Sequence, residues 1–286
     1  MRDFSNDHSA LALNTATLGH NLDGFGAGWE AEKVVDACAE FGSGGIVFWR
    51  REIGNRSHQI GEYVRSANLK MVGLCRTPFL TGPLALPTAR QIMDDFRASI
   101  EMAAGLGAPV LTIVTGGPEP ETKGLQPSID LLAERIASMG EFAASMNVKL
   151  AIEPLNPVYA GNRTCVTTMR DAVDICEKID MPNVGVAVDV YHVWWDTSLA
   201  QELQRAGKHR IFGYHICDWL ADTQDILLDR GMMGDGVADL KSIRAAVENA
   251  GYDGLCEVEI FSAENWWKKD PNEVLQTCVE RFRTHC

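Results

Sequence analysis

No apolar run in this chain approaches the roughly 20 residues that cross a bilayer. No cluster of Lys and Arg forms a patch for anionic lipid or a phosphate backbone, and the formal net charge of −13 repels both. Residues 1–8 hold no apolar segment of the secretory kind. The eight cysteines include no Cys-x-x-Cys pair, which in a chain of this length argues for free thiols in a reducing cytoplasm. No Gly-x-Gly-x-x-Gly turn follows the first apolar segment, so a dinucleotide-binding open sheet lacks its fingerprint. These absences exclude a membrane or nucleic-acid partner and leave a cytoplasmic protein with a small-molecule ligand.

What is present is an alternation. Short apolar, β-rich segments occupy 10–14, 45–49, 69–75, 109–114, 148–153, 184–189, 210–215 and 254–260. Between and after them, helical periodicity covers 29–41, 57–67, 88–106, 127–146, 167–178, 199–206, 240–250 and 271–283. Eight strand–helix units imply a parallel sheet with right-handed crossovers. That number, in a chain of 286 residues with no low-complexity linker, predicts one (β/α)8 barrel spanning residues 1–286 as a single catalytic domain. The longest irregular piece, 217–239, falls after strand seven, on the face where such barrels keep their sites.

The last four strands each end on an ionisable residue: Glu153, Asp189, His215 and Glu259. Residues two apart share a face of a strand, so Ala151, Ala187 and Gly213 lie beneath three of them and leave room for a polar layer. Three carboxylates and an imidazole converging in a barrel mouth are costly unless paired, and a divalent cation offsets that cost. The donor set suits Mn²⁺ best, with Co²⁺, Mg²⁺ or Zn²⁺ as alternatives. The competing reading pairs these residues with Arg50, Arg76 or Arg230. Glu257 shares a face with Glu259 one layer deeper, as a supporting partner or a buried carboxylate with a shifted pKa.

At these residues the chain resembles the xylose isomerase-like superfamily of barrels, the sugar phosphate isomerase/epimerase family. Its members include inosose isomerases and dehydratases, hydroxypyruvate isomerase and ketose epimerases. The likeness rests on Ile152-Glu153-Pro154-Leu155-Asn156, Val188-Asp189-Val190-Tyr191-His192, Tyr214-His215-Ile216-Cys217-Asp218, Gly234-Asp235-Gly236 and Val258-Glu259-Ile260-Phe261. It implies that Glu153, Asp189, His215 and Glu259 are metal ligands and that His192 and Arg230 contact substrate. Asn14 and Trp195 join them as candidate contacts, and Trp194, Trp266 and Trp267 are candidate walls for a sugar ring. Two departures stand out. Ketose epimerases carry a further glutamate where this chain has Tyr159. The endonuclease relatives need histidines at early strand ends, where this chain has Trp49-Arg50 and Cys75-Arg76.

The implied chemistry is proton transfer beside a carbonyl through a metal-stabilised enediolate. Glu153 and Glu259 would be the acid and base, with His192 as an alternative base. The outcome is isomerisation or epimerisation of a sugar or inosose. One alternative is β-elimination by a lyase or dehydratase, and another is a sugar-binding barrel without catalysis. The resemblance also implies a homodimer or homotetramer.

Overall fold

The computed structural model describes residues 2–286. Eight strands run β1 (Leu11–Asn14), β2 (Gly45–Trp49), β3 (Lys70–Cys75), β4 (Val110–Val114), β5 (Lys149–Glu153), β6 (Val184–Asp189), β7 (Ile211–Ile216) and β8 (Cys256–Val258). Among them fall helices α1 (Ala31–Glu40), α2 (Arg50–Ile53), α3 (Ser57–Ser66), α4 (Ala89–Leu106) and α5 (Gln126–Ser145). Then come α6 (Met169–Ile179), α7 (Val190–Val193), α8 (Leu199–Arg210), α9 (Leu240–Asn249) and α10 (Pro271–His285). The strands pair in parallel in chain order, and β1 pairs with β8, so the sheet closes into a (β/α)8 barrel without a free edge.

Local signals account for the elements. All six residues of β6 are buried, as a strand packed on both faces requires. Helix α4 opens at Thr88, whose side chain accepts from the Gln91 N–H, and it buries Ile92, Phe96, Ile100 and Ala103 on one stripe. Gly107 then ends it in the left-handed region at φ 74°. Helix α6 begins with a reciprocal box between Thr168 and Asp171. The expected stop at Ala206 corresponds to a break inside α8, where Gly207 takes φ 60°.

Strands β1, β3, β4 and β5 each start one residue later than expected, and β8 is shortened most. β8 ends at Val258 rather than at residue 260, and Glu259 is the first residue beyond it. Side chains take over the backbone there: the Ile260 N–H donates to Thr17 Oγ1 and the Ile260 carbonyl accepts from Trp267 Nε1. Segment 217–239 is irregular as expected but tightly tied. The Asp218 carboxylate accepts from the N–H groups of Trp219, Gly234 and Ala238. A side chain at Gly236 would strike the Trp219 carbonyl, so Gly234-Asp235-Gly236 serves as a knot around Asp218. All eight cysteines are free and buried. No helix among the described residues is long and apolar enough to cross a membrane.

Helices α3 and α4 approach so closely that a Cβ at Gly61 would lie 2.3 Å from the Leu106 carbonyl oxygen. Gly61→Ala is therefore expected to destabilise the fold by about 1–3 kcal/mol through overpacking. Urea unfolding midpoints check this, and an unchanged midpoint would show that the helices can part at no cost.

Candidate active site

The C-terminal ends of the strands gather the polar residues. One ligand-type atom from each of Glu153, Asp189, His215 and Glu259 lies within 4.8 Å of the others, and all four side chains are buried. The register explains the convergence: Asp189 sits level with His215 across β6 and β7, and His215 sits level with Glu257 across β7 and β8. Glu259 follows Glu257 by two and so stands one layer nearer the mouth. Ala151 and Ala187 are fully buried beneath. A Cβ at Gly213 would come 3.1 Å from His215 Nε2, so the glycine makes room for the imidazole.

Glu257 takes the deeper, supporting position. Its Oε2 is 3.4 Å from His215 Nε2, on the far side of the ring from Nδ1. Nδ1 is 3.0 Å from Glu153 Oε1, yet neither of these buried atoms has a hydrogen bond of acceptable geometry. Two ligand-type atoms thus face one another at ion-pair distance without a well-formed hydrogen bond. Four carboxylates confront two imidazoles, His215 and His192, and one guanidinium in the same buried volume. A divalent cation fits this donor set, and Glu257 would orient the histidine from behind.

Arg230 is the guanidinium. It is buried between the rings of Tyr191 and Phe261, 4.4 Å from each centroid. Nη1 lies 2.9 Å from Asp189 Oδ2 and 3.3 Å from Glu259 Oε2. Of the three arginines that could have neutralised the strand ends, only this one does so. Arg50 pairs with Asp95, and Arg76 has no carboxylate partner among the described residues.

Burial raises the Glu259 carboxyl to about 8, Glu153 and Asp189 push the same way, and Arg230 and His215 oppose them. Burial likewise raises Glu257. Asp189 is held low, because Arg230, His192 and His215 outweigh its burial. For His215 burial alone would lower the pKa, but Glu257, Glu153 and Glu259 carry it well above the usual range. His192 goes the other way, down to about 4, because burial outweighs the pull of Asp189. Its Nδ1 accepts from the Asn156 N–H at 3.3 Å, and its Nε2 lies 3.3 Å from Arg230 Nη2. His192 is thus a neutral imidazole whose basic nitrogen is already engaged.

A cavity of about 180 Å³ stands over the cluster. Glu153, Glu259, His192 and Arg230 line it, whereas Asp189 and His215 lie behind the surface. Asn14 does not reach the cavity. It is fully buried, with Nδ2 donating to Glu257 Oε1 (2.6 Å) and Glu259 Oε1 (2.9 Å), and Oδ1 accepting from Trp49 Nε1 (2.8 Å). Its amide is engaged by Glu257, Glu259 and Trp49, and these bonds hold it away from the cavity where a substrate contact was expected.

Trp195 is also absent from the lining, because its indole N–H folds back on the His192 carbonyl at 2.8 Å. Trp194, Trp266 and Trp267 do not line the cavity either. The aromatic walls are Trp49, Phe79, Tyr159 and Phe261. Sequence reasoning placed Trp49 at a strand end and Tyr159 after Glu153 but assigned neither a wall. Their position after barrel strands was the available signal.

Comparison with known proteins agrees with this architecture. Residues 35–280 match the family described as xylose isomerase-like TIM barrel. A protein of Sinorhizobium meliloti 1021 solved by crystallography is 44% identical, with a TM-score of 0.88 over 97% of this chain and 98% of that one. The inosose isomerase of Bacillus velezensis is 28% identical over 229 residues, covering 77% of each chain. A crystal structure of the IOLI protein with a bound zinc atom superposes with a TM-score of 0.78 at 21% identity, over 95% of this chain and 96% of that one.

Two outcomes follow from the geometry. Asn14→Ala is expected to weaken divalent-ion binding by about 10–100-fold, as losses of a supporting partner do. Titration of the variant with Mn²⁺ checks this, and an unchanged affinity would remove Asn14 from the site's support. Because metal ligands must be deprotonated, ion uptake near neutral pH is expected to expel about one proton or more and to strengthen as pH rises toward 8. Calorimetry in buffers of different ionisation enthalpy measures the release, and zero release would contradict the raised Glu259 carboxyl.

Proposed function

Since the chain belongs to the xylose isomerase-like TIM barrel family, we propose that it is an isomerase or epimerase of a sugar or keto-sugar, working with one divalent metal ion. The support comes from one arrangement. Of the four converging residues, the two glutamates face the cavity while Asp189 and His215 are withdrawn behind it. Two carboxylates at the floor of a cavity of this kind suit removal of a proton from one carbon and its return elsewhere. The inosose isomerases among the relatives favour a polyhydroxylated keto compound.

Glu153, Asp189, His215 and Glu259 would hold the ion, Mn²⁺ by preference and Co²⁺, Mg²⁺ or Zn²⁺ as alternatives. When bound, it supplies Lewis-acid stabilisation of the negative charge that develops as a proton leaves the carbon beside a carbonyl. The remaining work belongs to the chain. Glu153, on the cavity lining, takes or returns the proton at one carbon. Glu259, tethered by Asn14 and Arg230, serves the other. His192 acts as a substrate contact rather than a base, because Asn156 already occupies Nδ1. Arg230, fixed between two rings, orients substrate oxygens. Trp49, Phe79 and Phe261 exclude water around the reacting carbons.

One observation favours a second outcome from the same machinery. Where ketose epimerases carry an extra carboxylate, Tyr159 lies edge-on to His192 at 5.8 Å and its hydroxyl donates to the Ile226 carbonyl. With that carboxylate missing, β-elimination from a keto-sugar, keto-inositol or keto-glycoside becomes the alternative fate of the same carbanion.

Glu153→Gln and Glu259→Gln are each expected to lower turnover by at least about 10²-fold. Product analysis by NMR in D₂O is the test. Isomerisation leaves deuterium on carbon, and elimination releases water or an aglycone. Full activity in either variant would end the proposed acid–base pair.

A further inference from the structure

The cavity is lined by three arginines, and only Arg230 has a carboxylate partner. The other two are Arg76, the first residue after β3, and Arg163, in the loop after β5. Neither forms an ion pair among the described residues. Arg76 is half-buried, with its guanidinium 4.2 Å from the centroid of the Phe79 ring and Nη1 donating only to the neighbouring Thr77 carbonyl at 3.0 Å. In contrast, Arg50, on the adjacent strand end, meets Asp95 through two bonds of 2.7 and 2.8 Å. This chain carries 39 acidic residues against 26 Lys and Arg, so carboxylates are in surplus. Two cations on one cavity wall have nonetheless been left without one. Burial, then Arg163 and Arg50, pull the Arg76 pKa down to about 10 against the opposing pull of Cys75 and Glu153.

The cavity is therefore electrically lopsided. Strands β5 to β8 present carboxylates, while the segments after β3 and β5 present free guanidinium groups. We propose that Arg76 and Arg163 form a subsite for a carboxylate of the substrate, so that the natural substrate is a keto-sugar acid rather than a neutral sugar. The inference rests on the isomerase function proposed above and specifies its substrate. Planar guanidinium groups pair with a carboxylate through parallel bonds, and the partial burial strengthens them. A phosphate is the poorer fit. Phosphate sites draw on free backbone N–H groups, and the nearby glycine turn is engaged within the protein, with the Gly116 N–H donating to the Arg163 carbonyl at 3.1 Å. The apolar Phe79, Val114 and Leu155, which pack together beside Arg76, supply no further donor side chains.

The test uses the protein as purified, with D-fructose, D-fructuronate and a fructose phosphate as probes that differ in one terminal group. Calorimetric titration is expected to show D-fructuronate binding at least about tenfold tighter than D-fructose. That preference is expected to shrink to about threefold or less in Arg76→Gln and in Arg163→Gln, and to persist in Arg90→Gln, which removes the same charge from an exposed helix position outside the cavity lining. Circular dichroism checks folding, and Arg163→Gln, in a surface loop, decides the matter where Arg76→Gln is unstable. Equal affinity for acid and neutral sugar, no binding of the acid, preference for the phosphate, or a preference that survives both arginine changes would each overturn the subsite. Hydrogen exchange of the same probes in D₂O separates the two proposals. An acid preference without exchange keeps the subsite and counts against the isomerase, and exchange without an acid preference does the reverse.

Discussion

Everything near the mouth of this barrel is arranged around a group of buried carboxylates too close together to be comfortable. Glu153, Asp189, Glu257 and Glu259 surround His215, with Arg230 as the one cation bonded into the group. Burying this much like charge costs several kcal/mol per unpaired ion, and the surrounding structure answers that cost piece by piece. Asn14 donates to two of the acids, Arg230 ties Asp189 to Glu259, and Gly213 removes the Cβ that would press on the imidazole. What protein groups leave undone is the pair of facing atoms at Glu153 Oε1 and His215 Nδ1. A cation is the group that would complete them.

The closed barrel makes this concentration of charge possible. Parallel strands deliver successive C-terminal ends to one ring, and pairing of β1 with β8 prevents the ring from opening under repulsion. The hydrophobic belt of β6 and its neighbours lies below the polar layer. Above it, the irregular 217–239 segment is pinned by Asp218 below and by the Tyr159 and Tyr191 hydroxyls at the Ile226 carbonyl. That segment carries Arg230 into the site and sets Leu227 and Leu228 on the cavity wall. The loop knot at Gly234-Asp235-Gly236 and the polar cluster are thus linked through one segment.

Charge also divides the cavity. The carboxylate side suits oxygens that gain negative charge in company with a cation, while Arg76 and Arg163 line the same space without an ion-pair partner among the described residues. In the proposed reaction, a substrate lying across this division would be oriented before any proton moves, a contribution that a rigid barrel supplies readily.

Much of this was legible in the chain. The alternation of apolar segments and helical periods depends on local burial patterns, so eight strand–helix units and a closed parallel barrel could be read directly. Glu153, Asp189, His215 and Glu259 were found because strand-end position is a matter of one-dimensional counting. The tryptophans show where counting stops. Trp195 neighbours the site in sequence but bonds to the His192 carbonyl, and Trp49 and Phe79, far from it in sequence, form the walls. Asn14 ends a strand beside the polar cluster, but only packed coordinates show that its amide bonds to Glu257, Glu259 and Trp49. The sequence alone determined the fold and the donor set, since both follow from periodicity and residue type. The direction of each side chain, the early end of β8 and the two unpaired arginines were decided by the tertiary structure, because they depend on which distant groups meet and which are left without a partner.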